Sequence, residues 1–528
     1  MTSPLFCNRQ ILLMKRYIVL VFALVATFLT AQAQLTEQQQ IQKLNYAYQY
    51  IRNNYVDDVP LEPLVEEAII ATLKELDPHS RYLSAQEMSE TKNRLHGEFA
   101  GIGIKYHIHN DTLVVRSTLP NSPAQRANIL PNDRITAING STITGLNSDS
   151  VATLLKGDVG SKVTLYIERR NVIETKKVTL ERKIIETSAI TSVFSIDDIG
   201  YIACESFTKS LDSEFYSAYK SLGNIKALVV DLRDNGGGAI SSAIDLTSLF
   251  LNKGDIIVTT VGKDKEVVYE KRSNGNLGDI PLVVLINENS ASASEIFAGA
   301  IQDYDRGVII GHTSFGKGLV QRIIELKDGS GLCLTISRYK TPSGRIIQRP
   351  YTMGNGEKYL ADSVRFMHPD SIPRDSNLLF KTLKNGRMVY GGGGITPDIY
   401  INKDSLRIST SIIEAQSKGI FEHTITDYWD HTSLDALRSD YPTVEQFCKE
   451  YETDQLLWDI FYSYTHLSAN DLTERDLHYV RAMLMATMAE QLYGPNERHY
   501  VYISQYDYVA NEAFAIANSP ERMQSILE

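Results

Sequence analysis

Ala227-Leu228-Val229-Val230-Asp231-Leu232, then Arg233-Asp234-Asn235-Gly236-Gly237-Gly238-Ala239, then Ile240 to Leu251, form the stretch on which the fold turns. The first run is apolar, short and closed by turn residues, as a buried strand is; the third has the length and apolar spacing of a helix. The pattern then repeats with Leu282 to Ile286, Ala293 to Tyr304 and Val308 to Ile310. Strands alternating with helices are the mark of βαβ units around a largely parallel sheet.

The texture differs on either side. From Glu37 to about Leu95 the apolar residues Leu44, Ala47, Ile51 and Leu64, Ala68, Ile69, Leu73 recur at helical steps, with Asp77-Pro78 as breaker. From Gly97 to about Arg182 short runs such as Leu113-Val114-Val115 and Val163 to Ile167 are divided by turns at Asn132-Asp133 and Asn139-Gly140, which predicts a small β-rich domain. Beyond Lys403 helical spacing returns in Leu456, Ile460, Phe461, Tyr464 and in Val480, Leu484, Met488. The expected fold class is multidomain α+β: a helical N-terminal segment, a β-rich domain, an α/β core and a helical C-terminal tail. The 528 residues exceed one compact core at about 150 residues per domain. With 43% apolar and 22% charged residues most of the chain is expected to fold. A net charge of −11 argues against nucleic acid as a partner.

Lys15-Arg16, the apolar run from Tyr17 to Thr30 and Ala31-Gln32-Ala33 make the basic, apolar and small-x-small sequence of a secretory signal, with Met14 as an alternative start. The chain is therefore expected to be exported, to the periplasm or cell envelope. Cleavage after Ala33 removes Cys7 and leaves Cys204, Cys333 and Cys448, so at least one cysteine stays unpaired, and none is expected in the site described next.

Ser290-Ala291-Ser292-Ala293-Ser294-Glu295 follows a buried strand and opens a helix, a junction where helix N–H groups face developing negative charge and a nucleophile is well placed. Small residues that merely permit close packing are the competing reading. Gly311 and Gly316-Lys317 have the spacing of a phosphate loop, yet Gly318 stands where a metal-binding Ser or Thr is needed, and Leu319 to Leu326 reads as a strand. On such a strand Lys317 and Gln321 share a face, so Gln321 could orient the lysine. A lysine in an apolar pocket loses stabilisation of its charged form and can take a proton from a serine. The glycines after Asp231 expose backbone N–H groups of the kind that build an oxyanion hole.

Together these stretches resemble the carboxyl-terminal processing peptidases, or tail-specific proteases. Asp77-Pro78-His79-Ser80-Arg81-Tyr82-Leu83 is similar to the family's N-terminal helical region. Gly101-Ile102-Gly103-Ile104 is similar to the carboxylate-binding loop of its PDZ domain, and Ser122-Pro123-Ala124 with Ile138-Asn139-Gly140 to its strand-and-turn pattern. The resemblance implies Ser292 as nucleophile, Lys317 as general base and Gln321 as its orienting partner; the separations of 25 and four residues match the family's. It implies an oxyanion hole from Ala293 with Gly237 or Gly238, and Asp303 as a supporting residue. No metal and no other cofactor is required.

The domains expected are a signal peptide (1–33), a helical region (34–96), a PDZ domain (97–185), a serine peptidase core (186–403) and a helical region of open role (404–528). The substrate implied is an unfolded or tail-exposed protein C-terminus. The tail is left for self-association or a regulatory partner, including one that releases an enzyme held inactive. A non-enzymatic PDZ adaptor for C-terminal tails in the cell envelope is the alternative. His107-x-His109 is read as a solvated strand face in preference to a metal site.

Overall fold

The computed structural model describes residues 36–273, 275–361, 375–402 and 407–528; the expected export segment lies outside them. The chain divides into two compact units, residues 1–72 and 73–528. In the first, the helix Glu37–Asn54 is opened by a reciprocal cap in which Thr36 N–H donates to the Gln39 side chain (2.8 Å) and Gln39 N–H to the Thr36 hydroxyl (3.3 Å). This helix buries none of its own residues.

The second unit begins with a departure from the helical expectation. The short strand Arg81–Leu83 precedes the helix Ala85–His96 and pairs with the long strand Gly331–Lys340. The β-rich domain follows as a six-stranded antiparallel sheet in the order Ile104–His109, Thr112–Thr118, Arg134–Ile138, Lys162–Glu168, Lys176–Glu181, with Ser141–Thr142 added beside Arg134–Ile138. The hairpin from Arg134–Ile138 to Ser141–Thr142 turns on Asn139 and Gly140 at φ of 53° and 84°, a conformation Asn-Gly adopts at little steric cost.

The core is a six-stranded sheet in the order Ile190–Ile196, Ile199–Cys204, Ala227–Asp231, Leu282–Ile286, Val308–Gly311, Ile399–Tyr400, antiparallel at the first pair and parallel elsewhere. Its four inner strands are buried at every residue, which requires cover on both faces. The helices Leu211–Ser221, Ile240–Ser248 and Ala293–Asp303 cover one. The tail covers the other: Ile503, Val509, Phe514 and Ile516 pack against Tyr201, Val229, Leu285 and Ile310. Each large apolar side chain buried this way contributes about 1.5–3 kcal/mol. The tail is thus one of the core's two covering layers rather than a separate appendage.

A second sheet was not foreseen. Arg81–Leu83, Gly331–Lys340, Ile256–Gly262 and Glu266–Glu270 form an antiparallel layer, and Leu319–Glu325 pairs with Gly331–Lys340. The expected nucleophile therefore stands on the parallel sheet, and the expected base on the antiparallel one.

Candidate active site

Ser292 sits between the strand Leu282–Ile286 and the helix Ala293–Asp303, in the left-handed region at φ 57°. A non-glycine residue held there costs about 1–3 kcal/mol and persists only where its surroundings hold it. Here the surroundings are explicit. Ser292 N–H donates to Glu295 Oε2 (2.8 Å), Ala291 N–H to the Asn235 carbonyl (3.0 Å), and the Ser294 hydroxyl to the same carbonyl (2.8 Å). Ala293 opens the helix, where N–H groups have no intrahelical partner.

Glu295 connects the two sheets. It is fully buried, and besides Ser292 it accepts from Lys317 N–H (2.9 Å), Gly316 N–H (2.7 Å) and the Ser314 hydroxyl (2.5 Å). Burial pushes its carboxyl above the usual range against the pull of these donors. Glu295 was not singled out in the sequence as a functional residue, although Ser-x-x-Glu at a helix start is a capping signal. Tyr339, also buried, places its hydroxyl 3.1 Å from the Ser292 carbonyl and 2.9 Å from that of Lys317, a second bridge between the same two residues.

Lys317 precedes the strand Leu319–Glu325, whose register shifts between Val320 and Gln321, so simple strand alternation does not bring the pair together. They meet through a loop and an irregularity, with Lys317 Nζ 2.7 Å from Gln321 Oε1. The flanking glycines admit neighbours: a Cβ on Gly316 would lie 2.5 Å from Arg349 Cγ, and one on Gly318 2.9 Å from Gln348 N. Burial holds the Lys317 ammonium below the usual lysine range, despite opposing influence from Cys333, Glu295 and Asp77. Gln321 Nε2 donates to the His79 carbonyl, which fixes the amide so that its oxygen faces the lysine. Asp77 shapes that turn by accepting from His79 N–H (2.9 Å), Ser80 N–H (3.0 Å) and the Thr335 hydroxyl (3.1 Å). The His79 imidazole is pushed down to about 4 by burial first and by the Lys317 charge second.

The glycine loop is braced to the serine. Asp234, itself at φ 59°, accepts from Asn287 Nδ2 (2.9 Å) and Asn289 Nδ2 (2.8 Å). Gly237, at φ 97°, approaches so closely that a Cβ there would lie 2.9 Å from Ser292 Cβ and 3.0 Å from Ala293 N. Its own N–H donates to Asn235 Oδ1 (2.9 Å). Gly238 follows at the bridge to Phe207.

Other expectations need correction. Asp303 is not among them: at the far end of the helix, buried, paired with Arg345 (2.8 Å) and accepting from Ser343 N–H (2.9 Å), it has the surroundings of a structural residue. Cys333 lines the cleft with Lys317, contrary to the reading that kept cysteines out; its partner on the strand, Ile323, gave no hint of this. All three described cysteines are free. The His107-x-His109 face is not solvated: His109 is buried, its Nδ1 2.7 Å from His423 Nδ1 and its Nε2 2.8 Å from Asp427, while His107 Nε2 lies 3.0 Å from Thr426 Oγ1. The tail covers them.

In the β-rich domain, Gly103 lies between two strands at φ 76°, where a Cβ would fall 2.3 Å from Ser122 Cβ. The loop from Gly101 to Ile104 is held by Ala124 N–H on the Ile102 carbonyl (3.0 Å) and Leu119 N–H on that of Gly103 (3.0 Å). One cavity of 3820 Å³ is lined by Ser292, Lys317 and Gly238 and also by Ile104, on the strand Ile104–His109, and Thr153, on the helix Ser148–Leu155.

An α/β core with a serine at a strand-to-helix junction, preceded by a PDZ domain, defines a serine peptidase. Residues 198–353 match peptidase family S41, residues 100–180 the PDZ domain, and residues 24–87 the N-terminal domain of the activating protease CtpB. The chain is 36% identical over 335 residues to a carboxy-terminal-processing protease of Bartonella bacilliformis, covering 61% of this chain and 76% of that one. It is 32% identical over 372 residues to a probable CtpA-like serine protease of Staphylococcus aureus, covering 67% and 73%. A solved photosystem II D1 C-terminal processing protease aligns at 23% identity over 71% of this chain and 95% of that one, with a TM-score of 0.35. The chain belongs to peptidase family S41, among the carboxyl-terminal processing peptidases.

Proposed function

We propose that this C-terminal processing serine peptidase is an exported endopeptidase that binds protein C-termini through its PDZ domain and cleaves through Ser292, Lys317 and Gln321. The observation that carries the reading is the buried Lys317, its Nζ 2.7 Å from Gln321 Oε1 in the cavity that Ser292 also lines. A neutral amine that donates one hydrogen to Gln321 keeps its lone pair for the Ser292 proton. Ser292 then attacks the scissile carbonyl, and the oxyanion is held by the N–H groups of Ala293 and Gly238, since that of Gly237 is already given to Asn235. Lys317 returns the proton to the leaving amine, and water releases the acyl group by the same steps.

The substrate's terminal carboxylate is received at the N–H groups of Ile102 to Ile104, with the peptide added along the edge strand Ile104–His109. The cavity shared by this groove and Ser292 supports capture and cleavage of one extended, unfolded chain. In this reading the chain runs from a signal peptide (1–33) through a helical region (34–96), a PDZ domain (97–185) and the peptidase core (186–403) to a tail (404–528) that covers the core sheet. Export rests on the N-terminal sequence; among the described residues no helix is long and apolar enough to cross a membrane.

Sequencing the products of one unstructured, tailed protein treated with wild type and with Ser292→Ala tests the reading. Internal cuts by wild type alone are expected. Binding of tailed peptide without cleavage by wild type would favour the adaptor instead.

A further inference from the structure

Asp507 lies in the tail, far beyond the segment that matches the peptidase family, yet it touches the turn that leads into the glycine loop. Arg233 Nη1 is 2.8 Å from Asp507 Oδ2 and 3.1 Å from Oδ1. On its other edge Arg233 meets Asp231, with Nε at 3.0 and 2.9 Å from the two carboxylate oxygens and Nη2 at 2.5 Å from one of them. Tyr201 donates its hydroxyl to the same Asp231 (2.5 Å). The group is withdrawn from water: side-chain exposure is 18% for Arg233, 7% for Asp231 and 5% for Asp507. A guanidinium held in a plane by two carboxylates is confined in direction as well as position, because its donors form a rigid fork.

Arg233 is the first residue of the turn, and Asp234, the second, is left-handed. Three residues later the chain reaches Gly237, which presses on Ser292. From the serine side, Asn235 and Asn287 hold this loop. Among the described residues its ion pair to the tail is the one made by Asp507, which is also anchored as the cap of the helix Tyr508–Ala517 by accepting from Ala510 N–H (3.0 Å). That helix is fixed in turn on the core sheet.

We propose that Asp507 is a positioning residue for the oxyanion hole: through Arg233 the C-terminal tail sets the placement of the Gly236-Gly237-Gly238 loop against Ser292. The inference rests on the reading of Gly238 and Ala293 as oxyanion donors. Such donors act where charge develops, so their misplacement lowers kcat and the affinity for tetrahedral adducts and leaves ground-state binding nearly unchanged.

The test uses the full chain with Asp507→Ser, Asp507→Glu and Ser292→Ala. Serine keeps the helix cap but is too short and uncharged to hold Arg233, whereas glutamate keeps the charge. Measured are kcat and KM on an unstructured tailed peptide, affinity for a peptide boronic acid that forms a tetrahedral adduct with the serine, and the melting temperature. The expected result for Asp507→Ser is a kcat lowered at least ~10-fold, a KM within about 3-fold of wild type, and boronic acid affinity lowered in step with kcat. Asp507→Glu is expected to recover most of both. Unchanged kcat in Asp507→Ser, with Ser292→Ala inactive, overturns the inference and leaves the reading intact. A loss accounted for by unfolded enzyme, with normal kcat per boronate-titrated site, also overturns it. Activity retained in Ser292→Ala would instead remove the reading on which it rests.

Discussion

Lys317 Nζ and Gln321 Oε1 stand 2.7 Å apart, and the amide between them and the His79 carbonyl can be satisfied in one orientation only. Reversing it would set the amide NH2 against the ammonium and the amide oxygen against a carbonyl oxygen. Gln321 is therefore a fixed acceptor. Replacing Lys317 by alanine is expected to reduce cleavage of an unstructured peptide by about 10²–10⁴-fold or more, as loss of a general base does. Gln321→Ala is expected to cost less, and Gln321→Glu to impair activity at neutral pH by stabilising the charged lysine. Steady-state kinetics with circular dichroism as a folding control checks all three.

The depressed lysine also sets a pH dependence. In the proposed mechanism Lys317 acts as the neutral amine, so kcat/KM is expected to rise with pH through an apparent pKa below the ordinary lysine value of about 10.4. The sign for stability is opposite to that of a salt-bridged lysine. Below its ordinary pKa the unfolded chain holds the proton more readily than the folded one, so this lysine is a cost at neutral pH. Lys317→Met should abolish activity and raise the melting temperature. A lowered melting temperature would contradict the burial argument.

Gly237 offers a steric test of the loop. A methyl there would stand 2.7 Å from the Ala291 carbonyl oxygen and 2.9 Å from Ser292 Cβ, at a φ of 97° that disfavours any side chain. Gly237→Ala is expected to lower kcat by ~10² through displacement of the loop or the serine. Gly236, with open space around its Cβ position, supplies the control: Gly236→Ala should leave kcat within about 3-fold of wild type if the effect is local.

The histidines at the junction of PDZ domain and tail make a prediction about acid. His107 is pushed down to about 3 by burial, with His423, Arg116 and His109 adding to it; His423 is also lowered, while Glu422 and Asp427 oppose. Between about pH 6.5 and 3 the unfolded chain takes up protons that folded His107 refuses, so stability falls as pH drops through that window. From pH 7 to pH 5 this amounts to about 2 kcal/mol. His107→Phe is expected to flatten the fall by a similar amount, measured by urea unfolding at the two pH values.

Much of the site was legible because it is local in sequence. The Ser290 to Glu295 junction and the glycines after Asp231 each lie within a single strand end or turn, where spacing constrains geometry; Lys317 and Gln321 are also close in sequence, although a loop and a register shift, not strand alternation, bring them together. The strand alternation through Val308 was likewise visible in runs that are apolar at every residue. What escaped were partners remote in sequence. Nothing around Cys333 says that it faces Lys317, since a strand residue's face depends on which sheet it joins. His107 and His109 alternate as a solvated strand would, and only the helix Ile420–His431 placed against them makes them buried.

The sequence by itself determined the family, the alternating core and the local motifs at its strand ends, because these depend on short apolar runs, turn residues and fixed spacings. The tertiary structure alone decided that Glu295 and Tyr339 join the two sheets, that the His79 carbonyl orients Gln321, and that the tail closes the core and reaches Arg233 through Asp507. Such contacts span tens to hundreds of residues. They come from the burial of surfaces that must find one another in three dimensions, and no local period or motif records which surfaces those are.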